Sequence, residues 1–365
     1  MTLIFTVILV ALVFEYVNGF HDTANSIATI VSTKVLSPRQ AVLLAACTNL
    51  IGALWGSAVA RTIASGLVDT QIVTSQILIC ALVGAILWNL ITWSVGLPSS
   101  SSHALVGGLC GACLAAAHND WGVIIWSIPG SAHWWEGKGL LWKVVIPMIS
   151  SPLAGLILGF LVMGSLYFIL RNWRPVTVNR TFGKLQLLSA SYMGFSHGTN
   201  DAQKTMGILA LSLVAATSTG VFDHLPRWLS FLHTPEPTPG NPLEIAVWIK
   251  VVCALTMASG TAAGGWRIIK TLGHKMVKLH PVHGFAAEAT GATVLLTAAQ
   301  LGMPVSTTHA ITASIMGVGC AKGFNALKLN VVERILWAWV LTIPVSGFLA
   351  YAMVKIMEYV GWLHA

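Results

Sequence analysis

The segment GLPSSSSHALVGGLCGA, Gly96 to Ala112, returns as GMPVSTTHAITASIMGV, Gly302 to Val318, at an offset of 206 residues. Glycine, proline, a run of hydroxyl residues, histidine and a later glycine recur in the same order. A second pair accompanies it. GFHDTANSIAT (Gly19 to Thr29) is answered by GTNDAQKTMGI (Gly198 to Ile208) at an offset of 179, with Lys204 standing opposite Asn25. Two motifs, each present twice and in one order, mark an internal duplication with its seam near residue 180.

The surroundings of these motifs decide the fold class. The chain has 365 residues, of which 20 are Lys or Arg and 12 are Asp or Glu, only 9% charged against 55% hydrophobic. Its mean hydropathy is +0.77. Soluble domains carry about 25% charged residues, so this composition cannot build a water-facing surface and points to a polytopic membrane protein. Disordered, collagenous, coiled-coil and nucleic-acid-binding classes lack their charge or repeat signatures here. At ~20 apolar residues per crossing the length allows roughly ten helical spans. Apolar runs fall at about 3–33, 40–62, 75–96, 98–117, 141–170, 185–212, 243–264, 284–302, 303–321 and 331–360. Counting breaks within them, ten to twelve transmembrane segments are expected in an all-α fold. The runs at 3–33 and 185–212 carry polar motifs in their middles, which predicts discontinuous, tilted or re-entrant helices.

The net charge of +8 comes from short basic loops, Arg171 to Lys184 and Arg267 to Lys278, with smaller groups at Lys34/Arg39 and Lys322/Lys328. These are predicted cytoplasmic by the positive-inside rule. Asp69, Asp120, Glu136, Asp223, Glu236 and Glu244 fall in the alternate loops, so both termini are expected outside. Trp134, Trp135 and Trp142 fit an interfacial aromatic belt. The N-terminal stretch lacks a basic leader and cleavage pattern and reads as the first span. Five runs precede residue 180 and five follow it. An odd number turns the second copy over in the bilayer, so residues 1–180 and 181–365 are predicted inverted-topology repeats.

Proline followed by hydroxyl residues opens a helix, which predicts Ser100, Ser101 and Ser102, and Ser306, Thr307 and Thr308, at N-cap and first-turn positions. Each helix start carries about half a positive charge, and two of them meeting can hold a dianion without an arginine. Ordinary capping is the plainer role for one copy; two copies favour a binding site. His103 and His309 orient those hydroxyls, titrate, or pack as hydrogen-bonded core residues. Glu15, Asp22, Asp201 and Glu288 lie within apolar runs, where a charge costs at least ~2.5 kcal/mol at the bilayer centre and so marks a functional candidate. Glu15 is expected nearest the outer interface. Asp22 with Asn25, and Asp201 with Lys204, are spaced i, i+3 and share helix faces. Their oxygens suit a hard cation or a proton relay. Lys204 puts a fixed ammonium where a cation would otherwise sit, favouring protons over sodium, or else pairs structurally with Asp201.

With FSHGTNDAQKTMGI, GFHDTANSIAT, GLPSSSSH and GMPVSTTH in this order over nearly the whole chain, the sequence resembles the inorganic phosphate transporter (PiT) family, most of all its bacterial low-affinity, proton-coupled members. The resemblance implies phosphate symport across the bacterial inner membrane through two inverted repeats, in a homodimer, with phosphate often carried as a neutral complex with a divalent metal. It puts phosphate ligands on Ser100, Ser101, Ser306 and Thr307, with the Asp-Asn motif nearby. It puts cation coupling on Asp22, Asn25, Asn200, Asp201 and Glu288. Sodium-coupled members resemble N-D-x-x-N in both halves; here His21 and Lys204 replace two of those asparagines, which disfavours sodium. Sulfate is the alternative cargo. It cannot donate hydrogen bonds to Asp22 or Asp201 at neutral pH, whereas phosphate can.

Other classes fit less well. Ser102 and His103 are adjacent on a helix and point about 100° apart, a poor nucleophile and base. Cys110 and Cys113 form a CxxC without a redox-fold context, and all six cysteines lie in apolar runs. A channel needs no paired intramembrane carboxylates. No cofactor, resident metal or nucleic-acid partner is read from the sequence; the expected partners are phosphate, protons and the lipid bilayer.

Overall fold

The computed structural model describes residues 1–130, 133, 136–223, 225–235 and 243–362. Trp134, Trp135 and Glu236 lie outside them. In hydrocarbon a backbone must satisfy its own hydrogen bonds, and a chain this apolar does so as helix. In order these are α1 (Thr2–Ser32), α2 (Pro38–Ala53), α3 (Ala58–Ser65), α4 (Ser75–Val95), α5 (Ser101–Ala116), α6 (Ile146–Ile169), α7 (Pro175–Ser218), α8 (Val247–Ala263), α9 (Trp266–Lys270), α10 (Pro281–Gln300), α11 (Thr307–Lys322) and α12 (Leu329–Tyr359). Among the described residues, β pairing is limited to two isolated bridges, Val68 with Ile124 and Ile128 with Lys138.

Among the described residues, four helical stretches are long and apolar enough to cross a bilayer by themselves: Thr2–Ser32, Ser75–Val95, Leu141–Ile169 and Leu329–Tyr359. Counting each of two bent pairs as one broken span gives six, α2 with α3 at 70° and α8 with α9 at 58°. The breaks fall at Gly56 (φ +81°) and Gly264 (φ +76°), in the left-handed region that glycine enters without a Cβ penalty. The other expected crossings are helices as well, but α5 and α11 are only 16 residues long, and α7 and α10 carry too many polar groups.

Of the alternatives expected for the two polar runs, discontinuity is the one the structure corrects. Neither α1, with 31 residues, nor α7, with 44, is broken at its polar motif. His21, Asn25, Thr199 and Lys204 find partners on neighbouring helices, while Asn18, Ser26 and Ser196 have none among the described residues; the backbone ladder stays closed throughout. Thr23 even bonds back within α1, donating to the Gly19 carbonyl at 2.6 Å.

Both hydroxyl motifs are entered by the same device. Gly96 (φ +68°) and Gly302 (φ +65°) turn the chain at the ends of α4 and α10, and extended N-caps at Ser100 and Ser306 then open α5 and α11. The packing is exchanged: α6 lies on α11, and α12 on α5. Gly107 and Gly111 bring α5 against the α12 backbone, while Gly155 and Gly159 do the same for α6 on α11. Two apolar cores result. One holds Phe14, Leu105 and Met206, the other Ile27, Met193 and Ile311. Between them on α1 and α7 runs a polar layer from Asn18 to Asn25 and from Ser196 to Lys204, whose polar side chains are all buried.

Gly302→Ala forces a Cβ into the left-handed region, where it would meet the Ala58 carbonyl and Thr62 Oγ1 at 3.2 Å each. The expected loss is about 1–2 kcal/mol, read as a lower melting temperature in detergent. Gly164→Ala, on open helix surface, should be neutral or slightly stabilising by the same measurement.

Candidate functional site

The site is built on the two helix starts. Ser100 Oγ accepts from the His103 amide and Ser306 Oγ from the His309 amide, both at 3.1 Å, so each serine caps its helix as its position predicts. Ser102 donates to the Val305 carbonyl at 3.1 Å, which ties the first turn of α5 directly to the lead-in of α11. Ser101 is buried, and its hydroxyl has no partner among the described residues. All six hydroxyl residues are buried, out of reach of bulk water.

Side chains from α1 and α7 close over these ends. Asn25 Nδ2 donates to Thr307 Oγ1 at 3.1 Å and to Thr308 Oγ1 at 2.9 Å. Thr308 in turn donates to Asp22 at 3.4 Å, and Thr307 to Asp201 at 3.2 Å. Lys204 donates to both Asp201 and Ser102, so the ion pair foreseen from the i, i+3 spacing also grips the first turn of α5. His21 holds Asp22 at 2.8 Å through Nδ1, and its Nε2 lies 3.1 Å from Thr92. Asn200 donates to the Met303 carbonyl at 3.4 Å. Asp22, Asn25, Asp201, Lys204, Ser102, Thr307 and Thr308 thus form one hydrogen-bonded layer across four helices.

Two other acids sit elsewhere. Glu288 on α10 belongs to its own cluster, accepting from Thr29, Ser189 and, at 3.0 Å, Gln186. Thr29 is one helical turn beyond Asn25, so α1 links this cluster to the central layer. Glu15 is fully buried and accepts from Thr205 on α7.

Sequence reasoning missed His197. It stands i, i+4 from Asp201, its Nε2 at 3.2 Å from the carboxylate, with Asn49 at 3.3 Å from the other ring nitrogen. Ligand atoms of Asp22, His197 and Asp201 all lie within 4.8 Å of one another, a set suited to a small cation. The i, i+4 spacing was the available signal. His103 and His309 pack ring to ring at 4.8 Å, and His309 stacks on Trp339 at 4.0 Å. Ser102 bonds to Lys204 and Val305, and His103 has no side-chain hydrogen bond among the described residues, so the two make no catalytic dyad. Cys110 and Cys113 are free thiols.

Residues 18–350 match the Phosphate transporter family. The chain is 39% identical over 362 residues to a protein of Bacillus subtilis named probable low-affinity inorganic phosphate transporter, covering 97% of this chain and 98% of that one. A Rhizobium meliloti protein of the same name is 42% identical over 344 residues, covering 94% and 93%. A solved structure named "The sodium-dependent phosphate transporter" superposes with a TM-score of 0.79 over 98% of this chain and 100% of its own, at 23% identity, which establishes likeness of fold.

Because Asp201 and Lys204 are buried together, Lys204→Met strands a charge. The expected cost is about 3–5 kcal/mol in thermal unfolding. Adding Asp201→Asn should recover most of it; equal losses in the single and double variants would mean that the pair is not coupled.

Proposed function

Because the chain belongs to the phosphate transporter family, we propose that it is a secondary active transporter importing inorganic phosphate across the plasma membrane by proton symport. The observation that carries this reading is the meeting of two buried helix starts around one fixed ammonium. Ser102 in the first turn of α5 receives Lys204, while Thr307 and Thr308 in the first turn of α11 receive Asn25. Phosphate would bind Ser100, Ser101, Ser102, Ser306, Thr307 and Thr308, with Asp22, Asn25, Asn200 and Asp201 at its edge.

Charge counting supports the coupling. Lys204 and Asp201 offset each other, and the two helix ends together supply about +1, roughly matched by Asp22. A dianion then leaves the layer about two charges negative, which a low-dielectric interior does not tolerate. Protons taken onto Asp22, Asp201 or Glu288 relieve it, and His21 holds Asp22 in place. A protonated carboxylate also gives up donors that the anion can use. Release inside follows when those protons leave.

In this reading residues 1–180 and 181–365 are inverted repeats with both termini outside, and the protein is a homodimer in the bacterial inner membrane. Exchanged packing of α5 with α12 and α6 with α11 supports a paired construction. A second cargo reading, a divalent metal travelling with phosphate, is favoured by the clustered ligand atoms of Asp22, His197 and Asp201, and it requires Lys204 to give up Asp201 when the metal binds. Sodium coupling is the alternative, since the solved neighbour is named for sodium dependence. Lys204 argues against it, because its ammonium already lies against Asp201.

The test is labelled phosphate uptake into proteoliposomes under an imposed inward proton or sodium gradient, with excess sulfate as competitor. Proton-driven accumulation insensitive to sulfate is expected. Asp22→Asn and Asp201→Asn should each abolish gradient-driven uptake, and Lys204→Asn should weaken its proton dependence. A sodium requirement, or sulfate-blocked uptake, would overturn the corresponding part of the reading.

A further inference from the structure

A cavity of about 410 Å³ opens where the end of α6, the α6–α7 turn, the start of α10 and the end of α11 come together. It is far along the helices from the hydroxyl motifs, at the basic end of the molecule. Its position straddles a chemical boundary. On one side α6 presents Phe160, Leu161, Phe168 and Ile169 outward, an exposed apolar surface suited to lipid. On the other side the charged turn begins at Arg171.

Three groups in this cavity offer donors. Arg171 lays its guanidinium over the Phe168 ring, 4.8 Å from the centroid, and among the described residues no carboxylate pairs with it or with Lys322. Lys322 donates to the Lys278 carbonyl at 3.2 Å, and an ammonium has two further hydrogens. The third donor follows from a tautomer. His283 Nδ1 accepts the His280 amide at 2.9 Å, so in the neutral ring Nε2 carries the hydrogen and donates to Tyr167 Oη at 2.8 Å. The tyrosine hydrogen is thereby turned away from His283 and is free to donate. Leu170, Trp173 and Val178 supply an apolar wall beside these donors. Two unpaired cations, a hydroxyl donor and an apolar wall at the edge of this apolar helix surface form a pocket whose chemistry matches a phosphate ester carrying hydrocarbon.

We propose that this cavity binds the phosphate group of an anionic phospholipid from the leaflet on the basic side, with an acyl chain lying along α6. Free inorganic phosphate shares the oxyanion chemistry but has no use for the apolar wall. Binding here is independent of the transport site: Arg171, Lys322 and Tyr167 contact none of the residues around Asp22 and Asp201.

The experiment is native mass spectrometry of the full chain, purified in mild detergent and supplied with phosphatidylglycerol, phosphatidylcholine or inorganic phosphate. Wild type should retain phosphatidylglycerol in preference to phosphatidylcholine. An Arg171→Gln/Lys322→Gln double variant should retain at least about tenfold less, since it loses two charge-assisted hydrogen bonds. Tyr167→Phe, which alters no charge, should show a smaller loss and serves if the double variant folds poorly. Equal retention of both lipids, wild-type retention in the variants, or displacement of phosphatidylglycerol by millimolar inorganic phosphate would overturn the proposal.

Discussion

A carboxylate removed from water has to be met by donors, and in this chain each central aspartate takes one from its own helix and one from another. Asp22 on α1 is held by His21 beside it and by Thr308 from α11. Asp201 on α7 is held by Lys204 and by Thr307 from α11. Lys204 reaches on to Ser102 in α5. Helices with lipid-like surfaces gain little from the hydrophobic effect when they associate, so close packing and polar bonds of this kind fix their arrangement. The polar layer therefore does for α1, α5, α7 and α11 what a sealed core does in a soluble protein. The two apolar clusters lie on either side of it, and small residues let the backbones approach closely enough for short side chains such as serine and threonine to reach across.

The donors that satisfy the carboxylates are also the donors an anion needs. Thr307, Thr308 and Lys204 cannot serve Asp22 and Asp201 fully and a bound oxyanion as well. On the proposed function this competition is the coupling device: protonating a carboxylate weakens its hold on those donors and frees them for phosphate. No separate messenger between a proton site and a substrate site is required, because both draw on one set of hydrogen bonds. Glu288 fits as a second store. Its cluster is joined to the central layer through α1, where Thr29 follows Asn25 by one helical turn.

Much of this was legible in local spacing. The proline-hydroxyl runs located both helix starts and their caps, and i, i+3 spacing brought Lys204 to Asp201. Long-range partners were not legible. Gln186 and Ser189 lie about a hundred residues before Glu288 in the chain, and nothing local to Glu288 announces them. The same blindness explains the expected breaks in α1 and α7. A polar run inside an apolar stretch looks unsatisfiable until its partners are known, whereas with Thr92, Thr307 and Thr308 in place the helix has no need to open. The actual breaks fall beside Gly56 and Gly264, where backbone conformation decides and hydropathy gives no signal.

Where α5 and α11 begin matters as much as what they carry. Gly96 and Gly302 turn the chain so that both helices start inside the protein, with Ser100 and Ser306 each only 1% exposed. At a surface, water and salt would screen the positive end of each helix; inside, where the dielectric constant is low, its attraction for an anion is several times stronger. That attraction alone is indifferent to which tetrahedral anion arrives. Discrimination falls to the carboxylates. On the proposed function, Asp22 and Asp201 accept a hydrogen bond from a phosphate hydroxyl and meet only repulsion from sulfate, which has no hydrogen to give. The groups that hold the helices together then also choose the cargo, so a change at either aspartate should disturb assembly, coupling and selectivity at once.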